Sequence, residues 1–228
     1  VDLVLTDPPY ESVGKLVGGT TARLGRGRIE TDAWAPDKFI QTIPNTRLWE
    51  ILREILRILK PNRHAFIMSD GATLPWMLAY LGQGPVNRDP REQVRITWFN
   101  HVKILVWDKM IVGLGYHFRA QHEYIIMLDK GKNRKLRDLA VPDVLPFKAL
   151  RGHALEYPTQ KPRQLFQLLI EQTTEPGELV VDPFIGSGTT AVACLVTGRK
   201  YIGADISATA IEIAGHRINQ CRLHGETK

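Results

Sequence analysis

Residues 178–207 read ELVVDPFIGSGTTAVACLVTGRKYIGADIS, and no other stretch limits the fold so tightly. A short apolar run ends at Asp182, and a glycine-rich turn comes next. TTAVACLVT then reads as a helix closed by Gly198, and KYIGADI as a second buried strand. Strands joined through a helix lie parallel, and a parallel sheet needs helices over its faces. The opening VDLVLTDPPY repeats the theme. Val and Leu form a buried strand, Pro8 and Pro9 end it because they lack N–H groups, and Asp7 and Tyr10 stand where it opens into a loop. In open α/β sheets, ligands bind at that carboxyl edge.

The intervening sequence fits the same sheet. Asn45 or Thr46 is placed to cap a helix reaching about Leu59, with Leu48, Ile51, Leu52, Ile55 and Leu59 on one face and Pro61 closing it. HAFIMSD at 64–70 is a strand ending in Asp70, which reads as a cap for the helix expected around 76–81. VKILVW at 102–107 and EYIIML at 123–128 are buried strands with a connection too short for a crossover helix, so they pair as a hairpin. PRQLFQLLIEQTT starts a helix after Pro162, and the last helix spans about 207–223. Residues 11–37, rich in Gly and Arg, and residues 129–156 carry no sustained apolar period.

A chain of 228 residues suits one core with a small insertion. Its 43% hydrophobic and 24% charged content is that of an ordinary globular protein, and no run reaches membrane-spanning length. Cys194 and Cys221 make neither a disulfide framework nor a zinc cluster, and His117, His122 and His153 lack ligand spacing, so no metal is expected and a reducing, cytoplasmic setting fits. The chain opens inside a strand without an initiator Met, as a trimmed fragment would. The formal charge of +6 has the sign that suits a nucleic-acid partner.

The glycine turn indicates a cofactor. Gly186 and Gly188 let backbone approach a ligand, and Asp205, about twenty residues past the first glycine, is where an acid accepts ribose hydroxyls. The third glycine of the dinucleotide fingerprint is missing. Thr189 and Thr190, with the free N–H groups of a helix start, suit a small carboxylate better than a pyrophosphate. A nucleoside with a short amino-acid tail satisfies all of this, and S-adenosylmethionine is such a molecule.

Three motifs in fixed order, DPPY at 7–10, PTQKP at 158–162 and DPFIGSGTT at 182–190, resemble the permuted β class of DNA amino-methyltransferases over nearly the whole chain. The resemblance implies an α/β fold with a doubly wound, mostly parallel Rossmann-like sheet, helices on both faces and a small inserted target-recognition segment. It implies one methyltransferase domain over 1–228: a catalytic half at 1–128, recognition at about 129–156 and a cofactor half at 157–228. Asp182, Phe184, Gly186, Ser187, Gly188, Thr189 and Asp205 would line S-adenosylmethionine, with Thr159, Lys161 and Pro162 closing over it; for Lys161, a solvated lysine at a helix start is an equal reading. The sequence departs from the family pattern at Tyr157, where His is common, and at Asp205, where Glu is often found.

The exocyclic amino group of a base is a poor nucleophile because its lone pair is delocalised into the ring. The Asp7 carboxylate and the Pro8 carbonyl would each accept one N–H, favouring a pyramidal nitrogen, while Pro9 stiffens the turn and Tyr10 offers a stacking face. The base must leave the duplex to reach them. Adenine N6 is favoured over cytosine N4 because the tetrapeptide begins with Asp; a catalytically silent DNA-binding subunit is the other alternative. Lys130, Lys132, Arg134, Lys135 and Arg137, with Arg23, Arg26 and Arg28, read as phosphate contacts to double-stranded DNA. A homodimer and a cognate restriction endonuclease are further partners of such an enzyme, and no membrane is expected.

Overall fold

The computed structural model of the protein describes residues 1–11, 41–83, 99–113, 117–132, 135–151, 157 and 159–224. Among these residues seven strands form one sheet: β1 (Leu3–Thr6), β2 (Arg63–Ser69), β3 (His101–Asp108), β4 (His122–Lys130), β5 (Val144–Pro146), β6 (Leu179–Asp182) and β7 (Lys200–Gly203). Their order is β5-β3-β4-β2-β1-β6-β7. The pairs β1–β2, β1–β6, β6–β7 and β3–β5 are parallel, and β4 alone runs against its neighbours β2 and β3. The helices are α1 (Leu48–Ile58), α2 (Leu74–Gln83), α3 (Arg163–Thr173), α4 (Thr189–Thr197) and α5 (Ala208–His224). None is long and apolar enough to cross a membrane among the described residues.

Period-two alternation divides the buried strand residues between two layers. Leu3, Leu5, Phe66, Met68, Ile125 and Met127 pack with Leu165, Phe166, Leu169 and Ile170 of α3 and Ala193 and Cys194 of α4. Val4, Ala65, Ile67, Ile126 and Leu128 pack with Leu48, Leu52 and Ile55 of α1 and Met77 of α2. The expected side-chain cap on α1 is not formed. Asn45 and Thr46 lie inside a 3-10 turn, Asn45–Arg47, that Pro44 introduces, and the Asn45 N–H donates to Glu11 at 3.0 Å instead. Asp70 does cap the start of α2, accepting the Thr73 N–H at 2.7 Å. The described part of 129–156 includes β5 at the sheet edge, and Leu136, Val141, Phe147 and Ala149 pack on the core.

From β1 the chain moves to β2 on one side, while β6 leads to β7 on the other. The crevice between the carboxyl ends of β1 and β6 is therefore the topological switch point of the sheet. Both ends of this seam are fastened. At the amino ends, Arg63 pairs with Glu178 and lies 3.1 Å from Asp2, whose carboxylate also accepts the Leu179 N–H at 3.1 Å. At the carboxyl ends, buried Asp182 accepts the Thr6 hydroxyl at 2.7 Å, the Thr190 hydroxyl at 2.5 Å and the Phe184 N–H at 3.1 Å.

Burial raises the Asp182 carboxyl to about 6 despite those three donors. The folded protein thus keeps a proton that the unfolded chain has lost, so this group makes stability fall as pH rises from 3.8 to about 6. Asp182→Ala strands three buried donors; the expected loss at pH 7 is about 3 kcal/mol, read by urea denaturation, and the variant should lack that pH slope.

Candidate active site

A cavity of about 900 Å³ opens at the switch point, a size ordinary for a small-molecule site. The short β1 strand ends into its wall, so Asp7, Pro8, Pro9 and Tyr10 all line it. The Tyr10 hydroxyl donates to Asp7 Oδ1 at 2.6 Å, and Lys161 Nζ bonds Oδ2. The Pro9 carbonyl accepts the Ile43 N–H at 2.8 Å, which anchors the tetrapeptide to the segment leading into α1. Tyr10 is only 5% exposed, so it orients Asp7 through its hydroxyl and offers little ring surface for stacking.

Lys161 is no solvated lysine. Its side chain is 11% exposed and lies between Asp7 and Glu123, whose Oε2 is 3.7 Å from Nζ. Burial would lower the Lys161 ammonium, but the charges of Asp7 and Glu123 outweigh it and hold it above its ordinary value. Burial likewise works against ionised Glu123, and the Lys161 and Lys109 ammonium groups outweigh it, holding that carboxyl below its usual range. Lys109 Nζ bonds Glu123 Oε1 at 3.0 Å, while the buried Oε2 has no hydrogen-bond partner among the described residues. The result is a line of alternating charge, Lys109–Glu123–Lys161–Asp7, along one wall.

The opposite wall is the glycine turn between β6 and α4. Gly186 has φ +47° and Gly188 φ +81°, a region that favours glycine. The Gly186 N–H donates to Asp205 Oδ2 at 3.0 Å, and Asp205 Oδ1 accepts the Ser207 N–H at 2.9 Å, so the acid after β7 is locked onto the turn. Each oxygen retains a second lone pair for a ligand. Buried Tyr157 packs at Gly186, where its ring lies 3.7 Å from the position of an added Cβ. Burial, then the charges of Asp205 and Asp7, push the Tyr157 phenol up.

Phe184, Gly186, Ser187, Thr189, Asp205, Thr159, Lys161 and Asp182 reach the cavity wall. Two other expected residues stand behind it. A Cβ on Gly188 would meet Ala214 of α5 at 2.9 Å, so the close approach there is between helices, and buried Pro162 serves as the N-cap of α3. Thr190 directs its hydroxyl to Asp182 rather than to a ligand.

The described part of the basic run lies away from the cavity. Because β4 is antiparallel, its last residue, Lys130, pairs with Arg63 at the amino end of β2. The seven residues of β2 put that end about 20 Å from the cavity edge. Lys130 Nζ is bound to the Leu56 and Leu59 carbonyls at 2.6 and 2.5 Å, closing the end of α1. Lys132 comes two residues later, with its N–H on Asn62. The Arg137 N–H donates to the Gln172 carbonyl and its guanidinium to Glu175, both at the far end of α3 from Lys161. Lys135 is exposed between them; Arg134, Arg23, Arg26 and Arg28 lie outside the described residues. Glu123, Lys109 and Arg217, which donates to the Ser187 carbonyl at 2.6 Å, belong to none of the three motifs. A polar HE at the cavity-side start of the apolar strand IIML is the one sign of Glu123 that the sequence carries.

Comparison with known proteins agrees with this geometry. The profile of the DNA methylase family matches residues 1–216. YubD of Escherichia coli (strain K12) is 31% identical over 229 residues, 98% of this chain and 82% of that protein. The DNA adenine methyltransferase YhdJ of the same strain is 28% identical over 256 residues, covering 96% and 76%. The crystal structure of the M1.HpyAVI–SAM complex superposes with a TM-score of 0.64 at 21% identity, over 96% of this chain and 89% of that one, a likeness of fold. With the motifs, the switch-point cavity and the profile in agreement over the same residues, the chain belongs to the DNA methylase family.

Proposed function

We propose that the protein methylates the N6 amino group of adenine in double-stranded DNA with S-adenosylmethionine as donor. The observation that carries this reading is the meeting of Asp7, Lys161 and the Gly186–Asp205 pair around one cavity, although they come from three distant parts of the chain. The choice of adenine is supported by the Asp-led tetrapeptide and by the name of YhdJ.

The residues present fit the donor. Asp205, fixed by two backbone N–H groups, has lone pairs left for two ribose hydroxyls; Ile206 beside it is 75% exposed and lines the cavity, an apolar surface for a purine; and the start of α4 favours a carboxylate. When bound, S-adenosylmethionine supplies a methyl group activated by a positive sulfur. Asp7 and the Pro8 carbonyl accept the two amino N–H groups, stabilising the pyramidal nitrogen of the transition state above the planar ground state. Lys161 and Tyr10 hold the two Asp7 oxygens in place, and the nitrogen sheds its proton to the carboxylate or to water after transfer.

On this reading, 1–128 is the catalytic half and 157–228 the cofactor half. Recognition falls to the cavity rim around Lys148 and Arg151, not to the basic start of 129–156. A second copy of the chain and a nuclease cutting the same unmethylated site are the partners it brings, in the cytoplasm of a bacterial, archaeal or phage-infected cell.

Sequencing of native DNA from cells expressing the chain should reveal N6-methyladenine in one sequence context, absent with Asp7→Ala. Methylcytosine in its place, or no modified base, would refute the proposal. Lys161→Met leaves two carboxylates without their shared cation, and kcat/KM should fall by about 10²-fold or more in a labelled-methyl assay.

A further inference from the structure

Three exposed large apolar side chains, Met110 at 55%, Val112 at 44% and Phe118 at 108%, belong to one segment, the connection between β3 and β4, and Phe118 is the most open of its kind among the described residues. Lone exposed apolar residues are ordinary, but a group on the rim of a cavity marks an interaction surface. This rim is built. The Lys109 N–H bonds the Gln121 carbonyl at 2.8 Å, and the Gly113 N–H bonds the Ala120 carbonyl at 2.9 Å, continuing the hairpin past its strands. Asp108 accepts the Met110 N–H at 2.8 Å and the Gln121 side chain at 2.9 Å, and Arg151 reaches across to the Val112 carbonyl at 3.2 Å. Gly113 and Ala120 both line the cavity, and Phe118 is two residues from Ala120, within about 7 Å along the chain.

Exposed Arg119 adjoins Phe118 in the chain, exposed Arg151 lines the cavity and bonds this segment, and exposed Lys148 precedes Ala149 of the cavity lining, so the aromatic side chain stands in a positive setting suited to phosphates. Resting on the reading that this cavity receives an extrahelical base, we propose that Phe118 enters the base stack of duplex DNA in the gap the target base leaves. Extruding a base removes two stacking contacts, and an apolar wedge or aromatic face restores part of them. Neither the tetrapeptide nor the glycine turn can do this, since both lie on the cavity wall, whereas Phe118 is fully exposed two residues from that wall.

The test uses a duplex carrying the mapped methylation site, with the target base either paired or opposite an abasic position. Phe118→Ala should lower kcat/KM on the paired duplex by about ten-fold, the size of one lost stacking contact. It should leave the abasic duplex, whose base is already unpaired, close to wild type, and Phe118→Trp should retain activity on both. Because the side chain is fully exposed, the melting temperature should not change. Equal activity of Phe118→Ala and wild type on the paired duplex, or equal loss on both duplexes, would overturn the wedge. Wild-type protein inactive on both would overturn the underlying reading and the wedge with it.

Discussion

Everything at the site depends on one buried carboxylate. Asp182 receives Thr6 from β1 and Thr190 from α4, residues that no local structure would bring together. Asp7 is the residue after Thr6, and Gly186 is four beyond Asp182, so these bonds fix the acid of the tetrapeptide relative to the glycine turn. Burying the carboxylate is costly, as its raised pKa records, and the three donors are what make it tolerable. Apolar packing could hold β1 against β6, but it is non-directional and would not set this alignment.

The second constraint is electrostatic. Lys109, Glu123, Lys161 and Asp7 alternate in sign in a partly buried wall, where each charge is poorly solvated and depends on its neighbours. Removing any one leaves an uncompensated charge, so the cluster acts as a unit. Their sources explain its rigidity: Lys109 and Glu123 come from paired strands, Lys161 from the residue preceding the cap of α3, and Asp7 from the end of β1. Tyr10 completes the arrangement by donating to the Asp7 oxygen that Lys161 does not hold.

What could be read from sequence was what local chemistry dictates. LVLT is a buried strand because Leu3, Val4 and Leu5 are apolar, DPPY ends it because proline cannot donate, and GSGTT turns because Gly186 and Gly188 adopt positive φ. What could not be read depends on distant pairing. The reversal of β4 carries Lys130 and Lys132 to the amino edge of the sheet, and charge density alone does not reveal direction. Lys161 is buried because Asp7 and Glu123 converge on it, and Gly188 is tight because α5 crosses behind it at Ala214. Asn45 has the chemistry of a cap but does not act as one, because Pro44 draws it into a 3-10 turn.

The seam between β1 and β6 joins strands 176 positions apart through Thr6 and Asp182, and no covalent link contributes to it. Geometry of this kind is indifferent to the order in which its parts are translated. A gene encoding the glycine turn first and the tetrapeptide last would deliver the same atoms to the same places, so rearrangement of the reading frame could shuffle such a protein's ancestry while leaving its chemistry intact.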